Sequence, residues 1–171
     1  NRAIVKQGLK IIKQRTNLGI KTLFDLTNFQ NTPDSNSVGY FIGPRINAGG
    51  RVGLSSLGSE LLLTKDNLKA HKIAQKLEIY NKQRQELQNK LTSIVEKEAL
   101  KEILNPVIVL HGKDWHEGII GILASKIKDK HNKPTIIISL DGNNGKGSAR
   151  SIYGFDIGAT LISALKQNII K

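Results

Sequence analysis

The sequence predicts an α/β protein in which a long helix precedes a small mixed sheet. Residues 66–102 carry apolar positions at helical spacing, and neither Gly nor Pro interrupts them. After Pro106 the patterns follow in the order strand, helix, strand, strand, helix. A strand–helix–strand unit favours a parallel pair, and two strands joined by a tight turn form an antiparallel hairpin. A mixed sheet packed against helices is therefore expected.

The first 63 residues are predicted to be mainly helical. Residues 2–15 form an amphipathic helix, residues 21–28 a shorter one, and residues 55–63 resume the pattern. Residues 28–37 are rich in Asn, Thr, Pro, Asp and Ser, which predicts a loop. The Gly-punctuated stretch at residues 43–51 is predicted to be a second, Gly-rich loop.

The long helix has a narrow apolar seam, with one position in it occupied by Arg84. Asp66 is expected to cap the start of this helix, and Pro106 to end it. A helix so long and so polar on its other faces either bridges two domains or dimerises as a coiled coil. The seam consists of Ile73, Leu77, Tyr80, Leu87, Leu91 and Ile94.

The residues after Pro106 alternate between strand and helix patterns. Strands are predicted at residues 107–110 and 134–140, with a helix at 117–131 between them. A turn at 141–145 leads into a partner strand at 146–152, and a final helix at 156–166 is capped by Asp156.

Composition narrows the possible functions. The 171 residues contain no Cys, which excludes a disulfide framework, a Cys-ligated metal site and a thiol nucleophile. The apolar runs are too short to span a membrane and no signal-peptide pattern opens the chain, so a cytoplasmic protein is expected. The first residue is not Met, which suggests a piece of a longer protein. A net charge of +12 favours a nucleic acid or another polyanion as partner, or reflects the Lys-rich proteins of an AT-rich genome.

Three short segments could carry chemistry. In the first, Arg45, Asn47 and Arg51 either hold phosphates or lie solvated on a flexible loop. In the second, His116 stands at a strand-to-helix junction, where a helix start attracts anions, beside a Trp115 that is either core or a stacking surface.

In the third segment, strand alternation puts Lys146, Ser148 and Arg150 on one face. That face either grips phosphate or is simply the solvent side of a hairpin. The four His residues are isolated, and no paired carboxylates or metal-ligand spacing occur outside the long helix. The chain's own residues therefore indicate binding rather than catalysis.

Taken together in this order, these segments resemble the RecJ family of bacterial single-strand-specific DNA exonucleases, within the Asp-His-His phosphoesterase superfamily. The resemblance rests on Gly-Pro-Arg-Ile-Asn-Ala-Gly-Gly-Arg, the long helix, Trp-His-Glu-Gly-Ile-Ile-Gly-Ile-Leu-Ala-Ser-Lys and Lys-Gly-Ser-Ala-Arg-Ser-Ile. It implies that residues 1–63 end a catalytic domain, 64–105 form a connecting helix, and 106–171 form a truncated nucleic-acid-binding associated domain.

The resemblance also implies an activity. Such enzymes hydrolyse single-stranded DNA from the 5′ end to mononucleotides with two Mn²⁺ or Mg²⁺ ions, in DNA repair and recombination. The family's metal-binding motifs are absent from this sequence, so the chain is expected to supply part of a DNA-binding cleft and to be inactive alone. The residues expected to contact DNA by this resemblance are Arg45, Asn47, Arg51, His116, Lys146, Ser148, Arg150 and Ser151.

Two departures from the family pattern are expected to be tolerated: Gly50 in place of Ala, and Lys126 in place of Arg. A later Gly-Gly-His motif of the family lies beyond the end of this sequence. The expected partners are single-stranded DNA, with a helicase or a single-strand binding protein as further candidates, and the chain is expected to be monomeric. The alternatives are a phosphodiesterase of the same superfamily acting on oligoribonucleotides or cyclic dinucleotides, and a non-catalytic nucleic-acid-binding module.

Overall fold

The computed structural model describes residues 1–170 and confirms the α/β class with a mixed sheet. Within these residues the chain forms seven α-helices, one π-helical segment at Ser37–Ile42 and three strands. The helices are α1 (Arg2–Lys13), α2 (Leu18–Leu26), α3 (Gly43–Val52), α4 (Leu57–Leu63), α5 (Asn67–Lys101), α6 (Glu117–His131) and α7 (Ile157–Lys166). The strands are β1 (Ile108–Lys113), β2 (Thr135–Asp141) and β3 (Asn144–Arg150).

The chain divides into two compact units, residues 1–85 and residues 86–171, and the boundary falls inside α5. In the first unit, helices α2 and α4 and the first half of α5 enclose an apolar core. Three aromatic rings stack at its edge, with 4.6 Å between the centroids of Phe24 and Phe29. The buried core residues are Leu23, Phe24, Ile42, Leu57, Leu61, Ala70, Ile73, Ala74 and Leu77.

The expected loop at residues 43–51 is wrong, because this stretch is helix α3. Pro44 lies in the first turn, where its missing N–H costs no hydrogen bond. Gly49 and the following Gly53 serve close packing rather than flexibility. A Cβ on Gly49 would lie 2.4 Å from the carbonyl oxygen of Leu54, and one on Gly53 would lie 2.2 Å from the ring of Tyr80. Composition suggested a loop because a sequence does not indicate which glycines are approached closely by other parts of the fold.

The predicted loop at residues 28–37 is also shorter than expected. The chain turns helical at residue 35 and continues as the π-helical segment. Asp34 begins this segment: its Oδ1 accepts hydrogen bonds of 2.7 Å from both the backbone N–H and the hydroxyl of Ser37. These bonds favour the carboxylate and hold the pKa of Asp34 below its ordinary value.

The single long helix is confirmed, including its cap. Asp66 Oδ1 accepts from the backbone N–H groups of Leu68 and Lys69 at 2.8 and 3.2 Å. The expected end is wrong in detail, because α5 stops at Lys101, before Pro106. Residues 102–107 form turns in which Lys133 Nζ donates to the carbonyl of Asn105 at 2.7 Å. A tertiary contact therefore satisfies backbone groups that a longer helix would have bonded internally.

In the second unit the sheet has the order β1-β2-β3, with β1 parallel to β2 and β2 antiparallel to β3. Helix α6 packs on the face of β2 and β3 that carries Ile137. Ile108 and Leu110 of β1 are buried on the same face of the sheet. The hairpin turn is tighter than predicted, because Asp141 pairs with Asn144 and Gly142 takes a φ of 55°. Strand β3 accordingly begins earlier and ends at Arg150, not at residue 152. The expected Asp156 cap of α7 is present.

Candidate nucleic-acid interface

The predicted site residues lie in two groups, one in each unit. In the first unit they lie on α3, and in the second they lie on β3, just beyond it, and at the start of α6. The first group is Arg45, Asn47 and Arg51, and the second is His116, Lys146, Ser148, Arg150 and Ser151.

Arg45 is held by internal partners. Its Nε donates to Glu78 Oε2 at 2.7 Å, and its Nη1 donates to the carbonyl of Phe41 at 2.9 Å. The guanidinium also lies over the Phe41 ring, 4.0 Å from its centroid. Since the Arg45 and Glu78 side chains are only 15% and 19% exposed, this ion pair ties α3 to α5 as much as it presents a charge to a ligand.

Asn47 and Arg51 share the exposed side of α3. They are four residues apart, which places them one above the other on a helix. Both side chains are exposed, whereas Ala48 and Gly49 between them are buried. An amide and a guanidinium on one solvent-facing stripe suit a phosphate or a base edge.

Arg84 on α5 is affected by the charges of Arg45 and Arg51, and the sequence analysis did not predict it as a site residue. Its Nε and Nη2 both donate to Asn81 Oδ1, at 3.3 and 3.0 Å, and Asn81 is only 1% exposed. Partial burial lowers the pKa of Arg84, and the charges of Arg51 and Arg45 lower it further. The one available signal was the polar residue in the apolar seam of α5.

In the second group, side chains of β3 lie opposite side chains of α6 at matching intervals. Lys146, Ser148 and Arg150 share one face of β3, as predicted, and the structure turns this face toward α6. Two residues of strand rise by about 6.6 Å and four residues of helix by about 6 Å, so the two repeats stay in step. The three side chains therefore meet the α6 stripe Glu117, Gly121 and Ser125 in order.

Gly121 and Ser125 lie against the predicted site residues, and the sequence analysis did not single them out. Arg150 Nε donates to Ser125 Oγ at 3.0 Å, and its Nη1 donates to Ser148 Oγ at 3.1 Å and to the Ala149 carbonyl at 2.7 Å. A Cβ on Gly121 would lie 3.0 Å from Arg150 Nη2 and 3.1 Å from Ser148 Oγ. The missing side chain therefore makes the space in which the guanidinium and hydroxyl lie together.

Lys146 pairs with the first residue of α6. Its Nζ donates to Glu117 Oε2 at 2.8 Å, and both side chains are mostly exposed. The hydrogen bond and the carboxylate charge raise the pKa of Lys146 above its ordinary value. The lysine thus stays charged throughout the neutral range, but an incoming phosphate would have to compete with Glu117 for it.

His116 is the N-cap of α6. Its Nδ1 accepts from the backbone N–H of Gly118 at 3.1 Å. A ring nitrogen that accepts carries no proton, so the neutral imidazole has its proton on Nε2. His116 is exposed and can therefore donate from Nε2 to an anion at the start of the helix.

Two residues near these segments serve the fold. Trp115 is 8% exposed, and a Cβ on Gly112 would lie 2.2 Å from its ring, so the structure selects the core alternative for the indole. Ser151 lies outside β3, and its hydroxyl donates to the carbonyl of Phe155, closing the turn before α7. The structure thus brings Lys146, Ser148 and Arg150 together and gives Ser151 a local role.

Residues 1–170 contain no group of three His, Asp or Glu side chains arranged to hold a metal ion. Across the same residues, each helix is either too short or too polar to cross a membrane. The donors of both groups are cationic or neutral, which suits an anionic ligand and does not suit a divalent cation.

Comparison with known proteins identifies relatives along almost the whole chain. A family model described as the DHHA1 domain matches residues 101–168. The single-stranded-DNA-specific exonuclease RecJ of Bacillus subtilis (strain 168) is 33% identical over 94% of this chain and 21% of that protein. RecJ of Haemophilus influenzae is 39% identical over 90% of this chain and 28% of that protein.

Solved structures agree with the sequence relatives. RecJ from Thermus thermophilus in complex with Mg²⁺ matches with a TM-score of 0.83 and 30% identity, over 97% of this chain and 26% of that one. Exonuclease RecJ bound to manganese matches with a TM-score of 0.78 and 30% identity, over 97% of this chain and 41% of that one. The chain spans only 21% to 29% of the length of the curated relatives that it matches.

Proposed function

We propose that the chain is one part of a single-strand-specific DNA exonuclease, because it is similar to RecJ proteins along nearly its whole length. The whole enzyme would hydrolyse phosphodiester bonds from the 5′ end to mononucleotides in DNA repair and recombination. Within it, this chain would bind the DNA strand. The observation that carries the proposal is the ordered contact of Lys146, Ser148 and Arg150 with the α6 stripe.

The chemistry of this contact suits a phosphodiester backbone. A guanidinium, a hydroxyl and an ammonium follow one another along β3, and each can donate to a phosphate oxygen. The bonds from Arg150 to two serine hydroxyls hold its guanidinium in one orientation, so less side-chain entropy is lost when a ligand binds. His116 would add a neutral donor at the positive end of α6.

The first unit would contribute a second contact with the strand. Asn47 and Arg51 present donors on the exposed side of α3, and Arg45 would act mainly by fixing α3 against α5 through Glu78. Contacts of this kind to phosphates position a strand without reading its sequence. This agrees with an enzyme that degrades single-stranded DNA whatever its sequence.

Among residues 1–170, no group of three His, Asp or Glu side chains could hold the divalent ions expected of such an enzyme. The Mg²⁺ and Mn²⁺ in the titles of the similar structures belong to proteins of which this chain covers 26% to 41%. We therefore assign no catalytic step to these residues. Hydrolysis would require metal ligands from other parts of a longer protein, and this chain alone would be inactive. A cytoplasmic location, a monomeric state and binding to a helicase or single-strand binding protein are further parts of the proposal.

The test combines binding and hydrolysis. A labelled, 5′-phosphorylated single-stranded oligonucleotide is titrated with the chain at several salt concentrations, and Arg150→Ala is compared with Lys113→Ala. Lys113 lies on the same sheet but points to the face opposite Arg150. Arg150→Ala is expected to weaken binding about tenfold, because it removes charge-assisted bonds, and Lys113→Ala far less. Equal effects would contradict the assignment of the β3 face.

Hydrolysis is measured with Mn²⁺ on the same oligonucleotide, using this chain beside the chain extended at both ends from its gene. Activity confined to the extended protein is expected. Activity in neither protein, together with salt-dependent binding, would favour a non-catalytic module instead. Hydrolysis of oligoribonucleotides in preference to single-stranded DNA by the extended protein would favour the other phosphodiesterases of the superfamily.

A further inference from the structure

We infer that Arg84 is a third phosphate-binding cation on the first unit, held in place by the buried amide of Asn81. This inference rests on the proposed function, because it assigns a further contact to the same DNA strand. It departs from the sequence analysis, which treated Arg84 only as a gap in the seam of the long helix. The ligand it implies is a phosphate group of a nucleic-acid backbone.

Arg84 is held in one orientation by Asn81. Asn81 lies on the apolar seam of α5 and is 1% exposed, so its Oδ1 needs donors from within the protein. Arg84 supplies two of them, through Nε at 3.3 Å and Nη2 at 3.0 Å. A planar guanidinium bonded through two of its nitrogens to one fixed oxygen has a defined plane. Asn81 is thus a positioning residue, and Arg84 is the group that it positions.

Charged side chains on α3 act on Arg84. Burial lowers the pKa of Arg84, and the charges of Arg51 and Arg45 on α3 lower it further. Glu78 pairs with Arg45 at 2.7 Å and offsets that one charge. The repulsion felt by Arg84 indicates a positive potential on this partly buried surface. Bringing like charges together disfavours the fold, and binding of an anion there relieves that repulsion.

The geometry also separates the roles of the three arginines. Arg45 is 15% exposed and gives its Nε and Nη1 to Glu78 and Phe41, so it fixes the two helices and adds charge. Arg51 lies on the exposed side of α3 and Arg84 is half-buried on α5. Arg51 and Arg84 thus offer guanidiniums from two helices, and each can donate to a phosphate oxygen.

The experiment measures single-stranded DNA binding as a function of salt for Arg84→Ala, Arg84→Lys and the control Lys82→Ala. Lys82 is an exposed cation two residues away, on the other side of α5. Arg84→Ala is expected to weaken binding about five- to tenfold at low salt. It should also reduce the slope of log K against log salt by about 0.7, the value for one lost contact to single-stranded DNA. Lys82→Ala should change neither quantity appreciably.

Arg84→Lys keeps the charge and removes the planar fork. It should retain the slope of the wild-type chain and bind about two- to threefold more weakly. This variant also keeps the test decisive if Arg84→Ala impairs folding by leaving Asn81 without its donors, which circular dichroism will reveal. If Arg84→Lys binds as tightly as the wild-type chain, the orientation of the guanidinium does not contribute to binding and the inference is overturned.

The outcomes separate this inference from the proposed function. If Arg84→Ala behaves like Lys82→Ala while Arg150→Ala loses binding, the proposed function stands and the role of Arg84 is refuted. If the wild-type chain shows no salt-dependent binding to single-stranded DNA even at low salt, both are refuted. Loss of affinity together with loss of slope in Arg84→Ala supports both.

Discussion

Gly49 and Gly50 are neighbours on α3, yet a methyl group would meet opposite surroundings at the two positions. A Cβ on Gly49 would lie 2.4 Å from the carbonyl oxygen of Leu54, where real contacts stay above 3.0 Å. A Cβ on Gly50 would lie 3.8 Å from Cβ of Ser55, an ordinary van der Waals distance. The two Gly→Ala substitutions should therefore change stability in opposite directions.

The magnitudes follow from two competing effects. Replacing Gly by Ala inside a helix stabilises it by up to about 1 kcal/mol. At Gly49 the backbone of Leu54 would have to move by more than about half an ångström, and overpacking of this kind costs about 1–3 kcal/mol. We expect Gly49→Ala to destabilise the chain by about 1 kcal/mol or more and Gly50→Ala to stabilise it by about 0.5 kcal/mol, since position 50 is near the helix end.

Urea unfolding followed by far-ultraviolet circular dichroism measures the difference, with both variants and the wild-type chain under one buffer condition. The midpoints of the two variants should fall on opposite sides of the wild-type midpoint. Single-stranded DNA binding by Gly50→Ala serves as a control that the exposed stripe of α3 is intact. A Gly49→Ala variant as stable as Gly50→Ala would refute close packing as the reason for the glycines of α3.

Two further predictions concern the second unit. Gly121→Ala should weaken DNA binding several-fold without lowering stability, since its methyl group would displace the side-chain ends of Arg150 and Ser148 rather than backbone; unchanged affinity would show that this space is not used. Glu117→Gln should bind DNA more tightly, because Lys146 loses a competing carboxylate, and a weaker complex would contradict this competition. Because the pKa of Lys146 is raised, the contribution of the ion pair to stability is fully present below the ordinary lysine pKa and is lost as pH rises through the raised one. The unfolding free energies of the two proteins should therefore converge at high pH.

Sequence periodicity predicted the helices and strands well where burial follows a local repeat. The first half of the α5 seam, the limits of α6 and the alternation along β3 are properties of neighbouring residues, so they can be recognised without knowledge of the fold. The predicted end of the seam is wrong, because Ile94 is exposed and Val95 and Ala99 are buried instead. The caps at Asp66 and Asp156 are likewise local, because a side chain bonds backbone groups two or three residues ahead. The limit at Pro106 was wrong because Lys133, far along the chain, bonds the carbonyls of residues 103 and 105. The limit at residue 152 was wrong because β3 ends where Arg150 pairs with Thr135, the first residue of β2.

The chemistry of the candidate site was visible in part. Lys146, Ser148 and Arg150 could be placed on one face by alternation alone, but their alignment with Glu117, Gly121 and Ser125 depends on how β3 lies against α6. The amino-acid sequence, through its repeats and residue types, determined the α/β class, the long helix and the choice of a polyanion as ligand.

Only the tertiary structure decided that residues 43–52 form a helix and that the charges of Arg45 and Arg51 act on Arg84. Both outcomes depend on contacts between residues far apart in the chain. Glycine in a sequence indicates freedom of the backbone, but the space a missing side chain leaves can equally be filled by a neighbouring helix. An arginine in an apolar seam is explained by the buried amide of Asn81, whose Oδ1 accepts two of its hydrogen bonds.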